Sequence, residues 1–158
     1  MKVMIVGGGG REHAILEKLR ENPRIEKFYA LPGNGGMAAH AECVPIRATD
    51  IDGIVDFAIA HAIDFAVIGP DDPLIAGACD RLRAVGIRCF GPGKAAAAIE
   101  GSKSFAKNLM RKYGIPTADY AVFDRAQDAY AYLASASYPV VIKADGPALG
   151  KGVIIAQT

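Results

Sequence analysis

Apolar residues along this chain fall into short runs, separated by longer stretches in which they recur every three or four positions. Val3-Met4-Ile5-Val6, Lys27-Phe28-Tyr29-Ala30 with a leading lysine, Phe65-Ala66-Val67-Ile68, and Ile87-Arg88-Cys89-Phe90 with Arg88 inside it are the four strand candidates. Lacking polar alternation, they predict strands buried on both faces. Between them, Ile15, Leu16 and Leu19, then Ile51, Ile54, Val55, Ile59 and Ala62, then Leu74, Ala78, Leu82 and Val85 carry helical spacing. The punctuation agrees: Glu21-Asn22-Pro23 breaks the first helix, and Thr49 to Asp52 fits a capping-box variant. Asp72 is placed to cap the third helix with Pro73 at its first position, and Gly86 to stop it. This β-α-β-α-β-α-β order predicts an α/β domain over residues 1–93, a doubly wound parallel sheet covered by helices.

Beyond residue 93 the pattern changes. Lys94 to Tyr113 reads as helical, interrupted at Gly101-Ser102, where Ser102 can cap a second helix carrying Phe105, Leu109 and Tyr113. Tyr120-Ala121-Val122-Phe123 is expected as a strand, and Asp124 with Gln127 as a capping box for a helix faced by Ala126, Ala129, Tyr130 and Leu133. Pro139–Lys143 and Gly152–Ala156 are two further expected strands. We therefore divide residues 94–158 into a helical connection, 94–118, and a partial subdomain, 119–158. With a strand last and no closing helix, this second domain is expected to be truncated.

Composition narrows the class without naming it. The 158 residues are 51% hydrophobic and 22% charged with a net charge of +1, so nothing electrostatic favours a nucleic acid or an anionic membrane. No apolar run approaches the roughly 18 residues of a membrane span, and a secretory signal is not expected. Cys43, Cys79 and Cys89 lack metal spacing and fit small buried hydrophobes in a reducing cytoplasm.

Four stretches carry candidate chemistry. Gly7-Gly8-Gly9-Gly10-Arg11-Glu12-His13 joins the first strand to the first helix, a ready anion site. The third glycine of a dinucleotide fingerprint falls on Glu12 or His13, and Ala30-Leu31-Pro32 lacks the ribose-binding carboxylate, so a phosphate or phosphosugar suits this turn better. Arg11 offers a fork for it. Lys143-Ala144-Asp145-Gly146-Pro147-Ala148-Leu149-Gly150-Lys151-Gly152 is one residue short of a Walker loop and joins two strands, which suits a glycine-rich lid over a triphosphate. Lys103 stands in a first helical turn, where the dipole disfavours a cation, and this placement suggests a bound anion nearby. Gly69-Pro70-Asp71-Asp72 lies at the carboxyl end of the third strand, where Asp71 can accept sugar hydroxyls.

Taken in order, these pieces resemble the phosphoribosylamine–glycine ligases, a family of the ATP-grasp superfamily. The resemblance is carried by Gly8-Gly9-Gly10-Arg11-Glu12-His13-Ala14, Pro32-Gly33-Asn34, Gly69-Pro70-Asp71 with Pro73-Leu74, and Phe90-Gly91-Pro92. It continues through Glu100-Gly101-Ser102-Lys103, Phe105-Ala106-Lys107, Gly114-Ile115-Pro116-Thr117, and Lys143-Ala144-Asp145-Gly146 with Gly150-Lys151-Gly152-Val153. Asp71 departs from the glutamate common there, and Pro147 and Leu149 depart from Leu and Ala in the lid, where Pro147 can stiffen the loop.

The resemblance implies a Rossmann-like, pre-ATP-grasp N-terminal domain followed by the beginning of an ATP-grasp domain. It implies ATP-dependent joining of glycine to 5-phosphoribosylamine through a glycyl phosphate, in purine biosynthesis in the cytoplasm. Lys103, Lys143, Asp145, Gly146, Gly150, Lys151 and Gly152 would then lie at ATP, and Gly9, Gly10, Arg11, Glu12, His13, Asn34 and Asp71 at phosphoribosylamine. Mg2+ or Mn2+ is implied, with ligands beyond residue 158, and residues 1–158 alone are expected to be inactive. Small molecules are the expected partners, with no nucleic acid or membrane; the oligomeric state stays open, a monomer included. The competing readings are another ATP-grasp enzyme using bicarbonate or formate, a nicotinamide-dependent oxidoreductase, and a non-catalytic binding module.

Overall fold

The first apolar run is β1 (Lys2–Gly7), the middle strand of a five-stranded parallel sheet. β2 (Lys27–Pro32) pairs with it on one side and β4 (Phe65–Ile68) on the other; β3 (Glu42–Cys43) and β5 (Arg88–Phe90) are the edges, giving the order β3-β2-β1-β4-β5. The chain runs outward from β1 through α1 (Gly10–Leu19) to β2 and β3, then crosses by α2 (Ile51–Ala60) to β4. The strand order therefore reverses between β1 and β4. Open α/β sheets bind ligands at the carboxyl edge of such a reversal. A computed structural model describes residues 1–148 and 151–158, which form two compact units, Met1–Ala98 and Ile99–Thr158.

The apolar runs of β1, β2 and β4 follow from burial on two faces, whereas β5, at the sheet edge, leaves Arg88 and Phe90 exposed, against the expectation of burial on both faces. Successive strand residues point to opposite sides. Met4 and Val6 thus pack with Ile54, Ala58 and Leu82 beneath α2 and α4 (Ala78–Ala84). Val3 and Ile5 pack with Leu16 of α1, Phe28 and Met37 on the other face. Met4, Ile5, Val6 and Leu16 are inaccessible to solvent. Truncating Met4, Ile5 or Leu16 to alanine would cost about 2–5 kcal/mol.

The sequence pattern needs correction at several places in this unit. β3 was not among the expected strands, because two residues carry no legible period. Asp50, not Thr49, caps α2 through a 3.0 Å bond from Gly53 N–H. Asp72 does not cap the next helix: Pro70 is its N-cap, and α3 (Asp71–Ala76) carries both aspartates in its first turn. Gly77, at φ +95°, ends α3 and separates it from α4, so the single expected helix is two. Gly86 stops α4 as expected, with φ +81°.

α5 (Lys94–Gly101) starts on Asp80, whose Oδ2 accepts from Lys94 N–H at 2.7 Å. In the second unit, Ser102 caps α6 (Lys103–Lys112) by accepting from Phe105 N–H at 3.1 Å. α7 (Ala126–Leu133) and an antiparallel hairpin of β6 (Val140–Lys143) and β7 (Val153–Ala156) complete it. Residues 120–123 form no strand. A strand needs a neighbour for its backbone groups, and none pairs with this stretch among the described residues. Tyr120 instead lies against α6, its hydroxyl donating to Asn108 Oδ1 at 3.0 Å. Asp124 caps nothing; Arg125 is the N-cap of α7 and no side chain bonds there.

Candidate functional site

At the carboxyl edge of the parallel sheet, the turn from β1 to α1 is held from inside by Glu12. This is the one buried charged side chain among the described residues, 3% exposed. Its Oε2 accepts from Gly9 N–H at 2.6 Å, half of a capping box whose other half Gly9, without a side chain, cannot make. Gly7, Gly69 and Pro70 close around the carboxylate, at the facing ends of β1 and β4. A Cβ at Gly7 would stand 2.6 Å from Glu12 Cγ, and one at Gly69 would collide with Oε1. Oε1 is buried without a hydrogen-bond partner among the described residues.

With Gly9 N–H taken by Glu12, the N–H groups of Gly10, Arg11 and Glu12 remain at the start of α1. None has a carbonyl four residues back within the helix, and none finds another partner among the described residues. Gly10 and the Arg11 side chain are exposed, and Arg11 makes no ion pair among the described residues. A helix start with unpaired amides and an uncommitted guanidinium is suited to a phosphate.

Asn34 binds the neighbouring loop to this turn. Its Nδ2 donates to Gly8 carbonyl at 3.0 Å while its Oδ1 accepts from Met37 N–H at 3.0 Å. Gly33 N–H donates to Gly7 carbonyl at 3.2 Å. Asn34 is therefore engaged with backbone on both sides of its amide. His13 lies over Gly36, with Nε2 3.7 Å from Glu17 Oε1. Asp71 begins α3 one residue beyond Pro70, exposed at the same edge. The structure thus brings Gly9, Gly10, Arg11, Glu12, His13, Asn34 and Asp71 to one edge of one sheet. A shallow depression of about 480 Å³ beside the Lys27–Glu42 ion pair contains none of them.

In the second unit, Lys143 ends β6, and Ala144 N–H donates to Gly152 carbonyl at 2.8 Å, extending the hairpin ladder by one rung. Lys143 and Lys151 are exposed at the two ends of the loop this closes. Gly150 lies outside the described residues. Asp145 accepts from Ser104 Oγ at 2.6 Å, Ser102 Oγ at 3.1 Å and Ser104 N–H at 3.2 Å. These donors, Ser104 foremost, hold its carboxyl well below the usual Asp range. Lys103 Nζ donates to Gly146 carbonyl at 2.6 Å. Asp145 lies at the start of α6 through Ser102 and Ser104 but forms no ion pair with Lys103 among the described residues, so the bound anion expected beside Lys103 is not supplied by this carboxylate. Ser104 was missed because a serine one position into a helix has no signature of its own.

The decisive comparison is with protein families. Residues 1–100 match the phosphoribosylglycinamide synthetase N domain, and residues 101–158 match the ATP-grasp (A) domain of the same synthetase. The chain belongs to the phosphoribosylglycinamide synthetase family. It is 52% identical over 157 residues to a phosphoribosylamine–glycine ligase of Caldanaerobacter subterraneus subsp. tengcongensis, covering 99% of this chain and 38% of that protein. It is 51% identical to one of Rhizobium meliloti, covering 100% and 37%. The chain thus spans well under half the length of these synthetase relatives. Among solved structures, the phosphoribosylamine–glycine ligase of Thermotoga maritima superposes with a TM-score of 0.78 at 32% identity, covering 100% of this chain and 36% of that one. The biotin carboxylase domain of a Hydrogenobacter thermophilus 2-oxoglutarate carboxylase reaches 0.81 at 20% identity, covering 99% and 37%, which shows a shared fold alone.

Proposed function

We propose that this chain supplies the N-terminal part of a cytoplasmic enzyme joining glycine to 5-phosphoribosylamine at the expense of ATP, giving glycinamide ribonucleotide, ADP and phosphate. In this reaction glycine's carboxylate attacks the γ-phosphorus, ADP leaves, and a glycyl phosphate forms. The amine of phosphoribosylamine then attacks the acyl carbon and phosphate departs. Both steps demand alignment and charge neutralisation more than proton transfer by the protein.

The supporting observation is the start of α1, where the unpaired amides of Gly10, Arg11 and Glu12 and the exposed Arg11 guanidinium stand at the β1/β4 reversal. This arrangement fits the 5′-phosphate of the amine substrate, with Gly9, Gly10 and Arg11 around it. Asp71, on the adjacent edge, is suited to the ribose hydroxyls. His13 and Asn34 flank the same turn, Asn34 holding the loop. In the second unit, Lys103, Lys143 and Lys151 with the backbone of Gly146 and Gly152 suit the phosphates of ATP. The family implies a divalent metal, Mg2+ or Mn2+. Among the described residues no three His, Cys, Asp or Glu side chains converge to hold one, so no step here runs through it.

The test is Arg11→Ala in the full-length protein. The loss of a charge-assisted bond predicts a KM for phosphoribosylamine raised roughly 10- to 100-fold, with the KM for ATP within about twofold. Equal changes in both constants would remove the assignment.

A further inference from the structure

Asp145 sits where a nucleotide ligand is expected, yet both oxygens of its exposed carboxylate accept hydrogen bonds from its own chain. Ser104 supplies a hydroxyl at 2.6 Å and a backbone N–H at 3.2 Å, and Ser102 a hydroxyl at 3.1 Å. Ser102 is used twice. Its oxygen accepts Phe105 N–H as the cap of α6, which leaves its proton for Asp145, since a hydroxyl donates once and accepts twice. The next residue, Gly146, takes Lys103 Nζ on its carbonyl at 2.6 Å. Two consecutive loop residues therefore hold three consecutive residues at the start of α6.

This geometry decides what an incoming phosphate can use. The N-terminal amides of a helix attract anions, but here a carboxylate already lies on one of them, Ser104 N–H. A phosphate brought to the same amides would meet like charge. Lys103 can turn on its four-carbon stem and exchange a neutral carbonyl for a phosphate oxygen, a stronger, charge-assisted partner. We propose that Asp145 is a positioning residue: it fastens the glycine-rich loop to the start of α6 and sets Lys103 beside the nucleotide phosphates, without itself touching the nucleotide. This rests on the assignment of ATP to Lys103 and Lys143.

The test is a double-mutant cycle on Asp145 and Ser104 in the full-length protein, read as the Kd of a fluorescent N-methylanthraniloyl ATP. Asp145→Ala should weaken binding about tenfold, the order of one charge-assisted bond, and Ser104→Ala about threefold. The double variant should be no weaker than Asp145→Ala alone, because the serine acts only through the carboxylate. Asp145→Asn, which keeps shape and loses charge, should fall between wild type and Asp145→Ala; it replaces Asp145→Ala in the cycle if alanine lowers the thermal midpoint. The proposal is overturned if Ser104→Ala leaves affinity unchanged, or if the two effects multiply to about 30-fold. Lys143→Ala separates the two levels: unchanged nucleotide affinity there would remove the nucleotide assignment itself.

Discussion

Gly9 and Glu12 are joined by a 2.6 Å bond from the backbone N–H of one to the carboxylate of the other, inside the turn that links β1 to α1. The bond fixes the turn before any ligand arrives. It also aims the second oxygen, Oε1, into a slot between Gly7 and Gly69 where it has no partner among the described residues. Glu12→Ala should therefore lower stability by about 1.5–3 kcal/mol, the worth of a hydrogen bond to a charged group. Chemical denaturation measures this, and a change under about 0.5 kcal/mol would show that the bond contributes little.

Gly69→Ala tests the same slot from its other wall. The added methyl would run into Glu12 Oε1, and the carboxylate cannot retreat without leaving Gly9. Overpacking of this kind costs about 1–3 kcal/mol. Because the strain acts on Glu12, combining Gly69→Ala with Glu12→Ala should cost less than the sum of the two. Additive losses would place the strain elsewhere.

Asp145 should titrate below an ordinary aspartate. Its carboxyl is depressed by Ser104 and Ser102, so the charged form is favoured in the folded protein. The contribution is fully present above the unfolded value of about 3.9 and is lost only as pH falls through the lower folded value. Carbon-detected NMR of the Asp145 carboxyl should show a midpoint below that of a model peptide, and Ser104→Ala should move it upward.

Cys79 should be the least reactive of the three thiols. Burial, then the contact with Cys89, pushes it up to about 12, whereas Cys43 and Cys89 are half-buried. At pH 8 a maleimide should label Cys79 last. Its raised value favours the folded state at full strength below the unfolded value of about 8.5, and this advantage fades as pH rises towards the folded one.

The parallel sheet was legible because Val3–Val6 and Phe65–Ile68 are apolar without alternation, and only burial on both faces allows that. Caps were less legible. Thr49, Asp50, Asp71 and Asp72 all have capping side chains, and the choice among them depends on where the incoming backbone turns. The Tyr120–Phe123 stretch failed for a related reason: its residues favour a strand, but a strand is a property of two segments. At the carboxyl edge, the exposed position of Arg11 in the first turn of α1 was legible from its place after the glycines. The enclosure of Glu12 was not, since Gly69 reaches it from 57 positions away in sequence.

The turn after β1 and the loop after β2 are laced together by Gly33 N–H to Gly7 and by Asn34 Nδ2 to Gly8. Gly8 also lies so close to the Gly33 carbonyl that no side chain fits between them. The two loops are consequently one heritable unit. A chimera assembled from two synthetases should keep residues 7–13 and 32–36 from the same parent, and a crossover placed between them would disturb both loops while leaving the sheet beneath untouched.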